Sequence, residues 1–260
     1  MNAISRPFAL GCLLAVLGTI VIANTASAAP PAAPKVSTFA PIEDVVAQIA
    51  YFAERAEKGV AEKADFDDGA AAKLKKDANT LAVLGLALGM HDGDHKLKAA
   101  APAIVQAAQA VADSGEDYAK AKAAVDQLHK AVAGEVKGTK TLQWSEKVGA
   151  LSPLMHQVPL INNGLKKMVK DNKPTPASNP ANAATLAVIA QASMADTSEV
   201  KNPADMEKWY AFCAAMRDAA GDANKGLHAN DKDGTAAARK KLSQSCEDCH
   251  KVFRKEEENK

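Results

Sequence analysis

The chain has 260 residues, with 32 Lys+Arg against 31 Asp+Glu, 47% apolar residues, 4% aromatics and four cysteines, which permits one large domain or two small ones. A net charge of +1 offers no phosphate-neutralising surface, and with so few aromatics there are no stacking platforms, so a nucleic-acid partner is not expected. Alanine supplies 56 residues while Val, Ile, Phe and Tyr are sparse, which favours helix over strand and predicts an all-α fold.

Residues 1–28 have the three-part layout of a secretory signal peptide: a basic residue at Arg6, an apolar run from Phe8 to Ile22, and small residues ending Ala26-Ser27-Ala28. Cleavage there leaves Ala29 first and implies export to the periplasm. The apolar run is shorter than the roughly 20 residues a bilayer crossing wants. Cys12 leaves with the signal, so Cys213, Cys246 and Cys249 remain.

Beyond the signal, apolar spacing predicts helices near 41–63, 68–90, 95–113 and 115–133, then a link from Gly134 to Lys147. A second set is predicted near 152–171, 179–195, 203–228 and 232–256, with a Pro-containing turn over 171–179. Ser152-Pro153, Asn179-Pro180 and Asn202-Pro203 each place a capping residue before a proline at the first helical position. Leu154, Val158, Ile161, Leu165 and Met168 form one apolar stripe; Met206, Trp209, Cys213, Met216 and Ala220 form another. Each set of four short-looped amphipathic helices suits an antiparallel bundle.

The two sets echo each other in order. Lys35 to Ile42 recurs as Lys147 to Leu154, Thr80 to Leu84 as Thr185 to Ile189, and Leu128-His129-Lys130 as Cys249-His250-Lys251, at offsets of 112, 105 and 121. Changing offsets are what loops of unequal length between matched helices produce, so the expectation is two tandem four-helix units, 35–134 and 147–256.

One motif carries chemistry. Cys246-Glu247-Asp248-Cys249-His250 has the spacing of covalent haem attachment, two thioether bonds and a histidine on the iron. At i, i+3 and i+4 of a helix, the three side chains share one face. Leu242 and Phe253 lie on that face and are available to pack against a macrocycle. A redox dithiol would want a βαβ context, a zinc site a second ligand pair, and a plain disulfide would leave His250 without a role.

A helical bundle whose last helix carries this motif, followed by an aromatic and a base as in Val252-Phe253-Arg254, resembles the class II c-type cytochromes, the cytochrome c′ family. The resemblance covers 147–256 through a specific motif and 35–134 only through the repeat. It implies a left-handed four-helix bundle, one covalent haem c, His250 as proximal iron ligand, and a first helix that supplies the opposite face of the haem. Low-spin members place a methionine there and carry electrons; cytochromes c′ proper leave an apolar side chain and bind NO or CO.

The helix beginning at Ser152 offers Met155 and His156 side by side. Met155 matches the low-spin pattern and is the expected distal ligand, whereas core packing is its competing role; His156 points about 100° away on an ideal helix. Pro159 kinks this helix in expectation, because an interior proline removes a hydrogen bond. Arg254 is either a partner for a haem propionate, as the resemblance implies, or a solvated base before Glu256-Glu257-Glu258.

The first unit has lost this chemistry under the same alignment. Val125 and Leu128 stand where Cys246 and Cys249 stand, and Val46 where Met155 stands, so the unit is expected to be haem-less, with its volume refilled by side chains. His129 reads as a leftover, half-exposed histidine, and Met90-His91-Asp92-Gly93-Asp94-His95 as a charged turn or, less simply, a metal loop. Cys213, Trp209 and Met216 read as core, and Trp144 as packing between the halves. The functional expectation is an exported electron carrier with redox protein partners, matured by haem-attachment machinery, and not an enzyme. A five-coordinate protein binding NO or CO, and a scaffold with a structural haem, are the alternatives. The empty unit is expected to serve as an intramolecular dimer partner.

Overall fold

A computed structural model describes residues 29–171 and 180–254, with side chains given only as far as 165 in the first stretch. The expected signal peptide, the turn over 172–179, the Met168 side chain and the acidic tail lie outside the described residues. Within them the chain is an all-helical bundle with no strand, and no helix is long and apolar enough to cross a membrane.

Eight helices of 12 residues or more carry the fold: α1 (Ile42–Gly59), α2 (Ala71–Met90), α3 (Ala101–Ala112), α4 (Tyr118–Val132), α5 (Leu151–Asp171), α6 (Pro180–Ser193), α7 (Met206–His228) and α8 (Lys232–Phe253). Their limits depart from the expected ones where local chemistry intervenes. Gly69 at φ +95° interrupts the turn ahead of α2 and moves its start from 68 to 71. Residues 96–100 and 203–205 tighten into 3-10 turns before α3 and α7, the second capped by Asn202 Oδ1 accepting from Ala204 N at 3.1 Å. Asp117 and Asp231 cap α4 and α8 by accepting from Lys120 N (3.0 Å) and Gly234 N (2.9 Å).

Two helices are apolar all round and lie at the centre. Every residue of α6 from Ala181 to Ser193 is buried, as is α2 from Asp77 to Leu88. In chain order, α1 packs on α2, α2 on α3, α3 on α4 and α4 back on α1; α5 packs on α6, α6 on α7 and α7 on α8, while α8 returns to α5 only sparingly. Across the middle, α1 meets α6, α2 meets α5, and α2 meets α6. Exchanging α1 with α5 and α2 with α6 maps these central contacts onto themselves.

The polar contacts follow the same exchange. Gln48 donates to Asn182 (3.4 Å) and its repeat counterpart Gln157 reaches Asp77. Thr80 and Thr185 each bond a carbonyl one turn back, at 3.0 and 2.9 Å. Asp92 and Asp196, which follow Met90 and Met194 by two residues, each accept a backbone N–H near the start of the first helix of their own half, Ser37 N ahead of α1 and Leu151 N at the first residue of α5, both at 2.9 Å. Further ties cross the centre without a counterpart: buried Asp44 accepts from Asn224 Nδ2 (2.6 Å) and meets His228 Nε2 (2.8 Å). A Cβ at Gly221 would stand 3.0 Å from Phe39, so α7 lies directly on the residues ahead of α1. One apolar core runs through both halves, and half-buried Trp144 packs against it from the link.

Candidate haem site

Cys246 and Cys249 sit half-buried on α8, and both thiols are free. Cys246 packs against the main core. Cys249 packs against a smaller cluster built from Leu151, Met194, Met206, Trp209, Tyr210, Cys213 and Phe253. The cluster is aromatic at its heart: Phe253 meets Trp209 edge-on at 5.3 Å between ring centroids and Phe212 at 6.2 Å. Trp209 is fixed by its indole N–H, which donates to the Ser193 carbonyl at 3.3 Å. Phe253 is therefore buried among aromatics.

Met155, half-buried near the start of α5, packs against both the main core and the aromatic cluster that holds Cys249. His156 is exposed. Of the two adjacent candidates, only Met155 is partly buried, packed against the cluster that Cys249 also borders. Pro159 is exposed inside α5 and has no N–H to give to the Met155 carbonyl four residues back, so the turn bearing Met155 is short of one hydrogen bond.

Burial raises the Cys246 thiol above its ordinary range and lifts Cys249, with neighbouring Cys246 adding to it, to about 11. Both cysteines are protonated thiols at neutral pH. His250 is exposed on the next residue, and its pKa is lowered first by partial burial and then by the positive charge of Arg254, which favours the neutral imidazole that ligates iron. Arg254 itself ends the helix, exposed. The donor set fits a covalent haem: two free, half-buried thiols one turn apart, a histidine of lowered pKa beside them, an apolar aromatic wall, and sparse contact between α5 and α8. Among the described residues no three His, Cys, Asp or Glu side chains gather to hold a bare metal ion.

Cys213 and Trp209 are buried core residues, as expected, and the cluster they belong to is the one that Cys249 packs against. Burial, then the proximity of Cys249, drives the Cys213 thiol far above its ordinary range and leaves it inert. Their i, i+4 spacing in the stripe of α7 was visible, but not which helix that stripe faces. The roles of Asp196 and Asn79, at the start of α5, were missed altogether.

In the first half, Val125 and Leu128 are fully buried where Cys246 and Cys249 are half-buried. His129 is half-exposed, 3.6 Å from Glu57. It borders an open cleft of about 700 Å³ whose walls, Glu57, Lys122, Asp126, Lys130 and Glu135 among them, are mostly charged and ill-suited to an apolar macrocycle. In the Met90–His95 turn both His91 ring nitrogens are occupied, by the Ala40 carbonyl at 3.0 Å and Gly93 N at 2.8 Å, and Asp92 is held by Ser37. No protein family, no curated protein and no solved structure matches the chain.

Proposed function

We propose that the chain is an exported, monohaem c-type cytochrome that transfers electrons. The observation that carries this reading is the Cys246-x-x-Cys249-His250 motif on α8, whose Cys249 packs against the same aromatic cluster as Met155. When bound, haem c supplies a one-electron iron couple between ferric and ferrous states. Cys246 and Cys249 would hold the group through two thioether links, and His250 and Met155 would offer it an imidazole and a thioether, a ligand pair that raises the reduction potential. Trp209, Phe212 and Phe253 exclude water from one side, and Arg254 offers a positive charge at the rim. Haem-attachment machinery and redox proteins are the partners this role requires, and the periplasm is its place.

We read α1–α4 and α5–α8 as two tandem antiparallel four-helix bundles of the cytochrome c′ kind, the first without haem. The exchange symmetry of the central contacts supports that reading, and supports the first bundle as an intramolecular stand-in for a dimer partner.

Intact mass under denaturing conditions tests the whole proposal: the natively exported protein carries the added mass of one tetrapyrrole, and a bare polypeptide overturns it. A second reading, five-coordinate iron that binds NO or CO, is favoured by Pro159, which weakens the turn that presents Met155. A ferric methionine-to-iron charge-transfer band that disappears in Met155→Ala supports electron transfer. A high-spin spectrum with tight CO binding in the unaltered protein supports gas binding instead.

A further inference from the structure

The start of α5 is held largely by the other half of the molecule. Ala150 occupies the N-cap position, since the first helical bond runs from Leu154 N to the Ala150 carbonyl at 3.3 Å. An alanine there has no side-chain oxygen for the unpaired N–H groups of the first turn. Other chain segments supply the partners. Asn79, on α2, accepts from Ala150 N at 2.7 Å; Asp196 accepts from Leu151 N at 2.9 Å while Lys147 holds it at 2.8 Å; and Gln109, on α3, donates to the Val148 carbonyl at 3.1 Å.

Asn79 is well placed for the task. It is buried, and its amide nitrogen donates to the Lys75 carbonyl at 2.8 Å, which fixes the oxygen toward Ala150. A Cβ at Gly149 would stand 3.1 Å from both the Asn79 carbonyl oxygen and Val83, so the backbone entering α5 rests directly on α2. The tie has no counterpart in the other direction. By the alignment that pairs Thr80 with Thr185, the position matching Asn79 is Ala184, which can accept nothing through its side chain. The bond exists only where it holds the helix that bears Met155, whose Cα lies five residues along the helix, about 7.5 Å in rise.

We infer that Asn79 is a positioning residue through which the haem-less half sets the placement of Met155 and so tunes an iron it does not touch. The inference rests on the proposed function above. It is tested in the full-length haem-loaded protein with three variants. Asn79→Leu keeps the volume and removes the acceptor, Asn79→Asp keeps the acceptor, and Thr80→Val removes a neighbouring hydrogen bond of α2 that has no tie to α5.

Asn79→Leu is expected to lose most of the ferric methionine-to-iron band and to bind CO in the ferrous state about tenfold more tightly, the scale of one lost buried hydrogen bond. Asn79→Asp restores the band, and Thr80→Val leaves it native. A native band and CO affinity in Asn79→Leu overturn the inference, as does an equal change in Thr80→Val. Should Asn79→Leu not fold, Gln109→Met cuts the parallel tie and is judged by the same readouts. An unaltered protein without covalent tetrapyrrole overturns the proposed function itself. One with haem but no methionine band overturns Met155 ligation and this inference together.

Discussion

The seam between α1 and α4 and the seam between α5 and α8 occupy corresponding places in the two halves, and they are filled differently. In the first, Val125 and Leu128 are fully buried beside the open cleft between α1 and α4; in the second, Cys246 and Cys249 stay half-buried and α5 and α8 touch sparsely. Interiors pack near crystal density, so apolar side chains close the base of the first seam beneath its cleft. In the second, two half-buried thiols and a methionine stand where the proposed haem would bind. The contrast teaches that two side chains on the last helix distinguish the two seams.

The largest effect expected from breaking this contrast is all-or-none. Replacing both Cys246 and Cys249 by Ser removes the covalent tetrapyrrole, read as a fall in intact mass under denaturing conditions; a mass unchanged by the double substitution would break the comparison. Next comes the first seam. Leu128→Ala deletes a fully buried side chain and should lower stability by about 2–5 kcal/mol in chemical denaturation. Cys249→Ala in haem-free protein removes less buried volume and should cost clearly less.

Met155→Ala against Val46→Ala sharpens the opposing faces. The first should change the iron spectrum and open the metal to CO, and the second should leave both as they were. The smallest effect is electrostatic. Burial pushes the Asp196 carboxyl up, but Lys147, Ser198 and the Leu151 N–H outweigh it and hold the pKa below the ordinary value of 3.8. A carboxyl depressed on folding contributes stability that is present above its unfolded pKa and lost as pH falls through the folded one. Asp92 does the same for the first half, with Ser37 holding it at about 2. Acid titration should therefore weaken both helix starts only below about pH 4, and Asp196→Asn should flatten that loss at α5 alone, followed by amide exchange at Leu151.

Most of the fold was legible in the chain. The Asn-Pro signal before α7 and the apolar stripes located helices to within a few residues, because caps and periodicity act locally, whereas Asp117 and Asp231, which cap α4 and α8, were not singled out. Gly69 and the 3-10 turns shifted edges that propensity cannot fix. Of the site, the motif was plain because attachment chemistry constrains consecutive residues. Trp209 and Cys213 were seen as a stripe but not as the wall beside Cys249, and Asn79 carried no mark at all, since a mid-helix asparagine means nothing until another segment arrives at its oxygen.

By itself the sequence determined an all-helical chain, an internal echo and two cysteines with a histidine on one helix face, all consequences of short-range geometry. Tertiary structure alone decided that Met155 and not His156 packs inward, against the cluster that Cys249 borders, that α2 and α6 form the shared centre, and that the first half grips the start of α5. Those outcomes depend on which faces of distant segments meet. Packing between elements sets that, and no spacing along the chain encodes it.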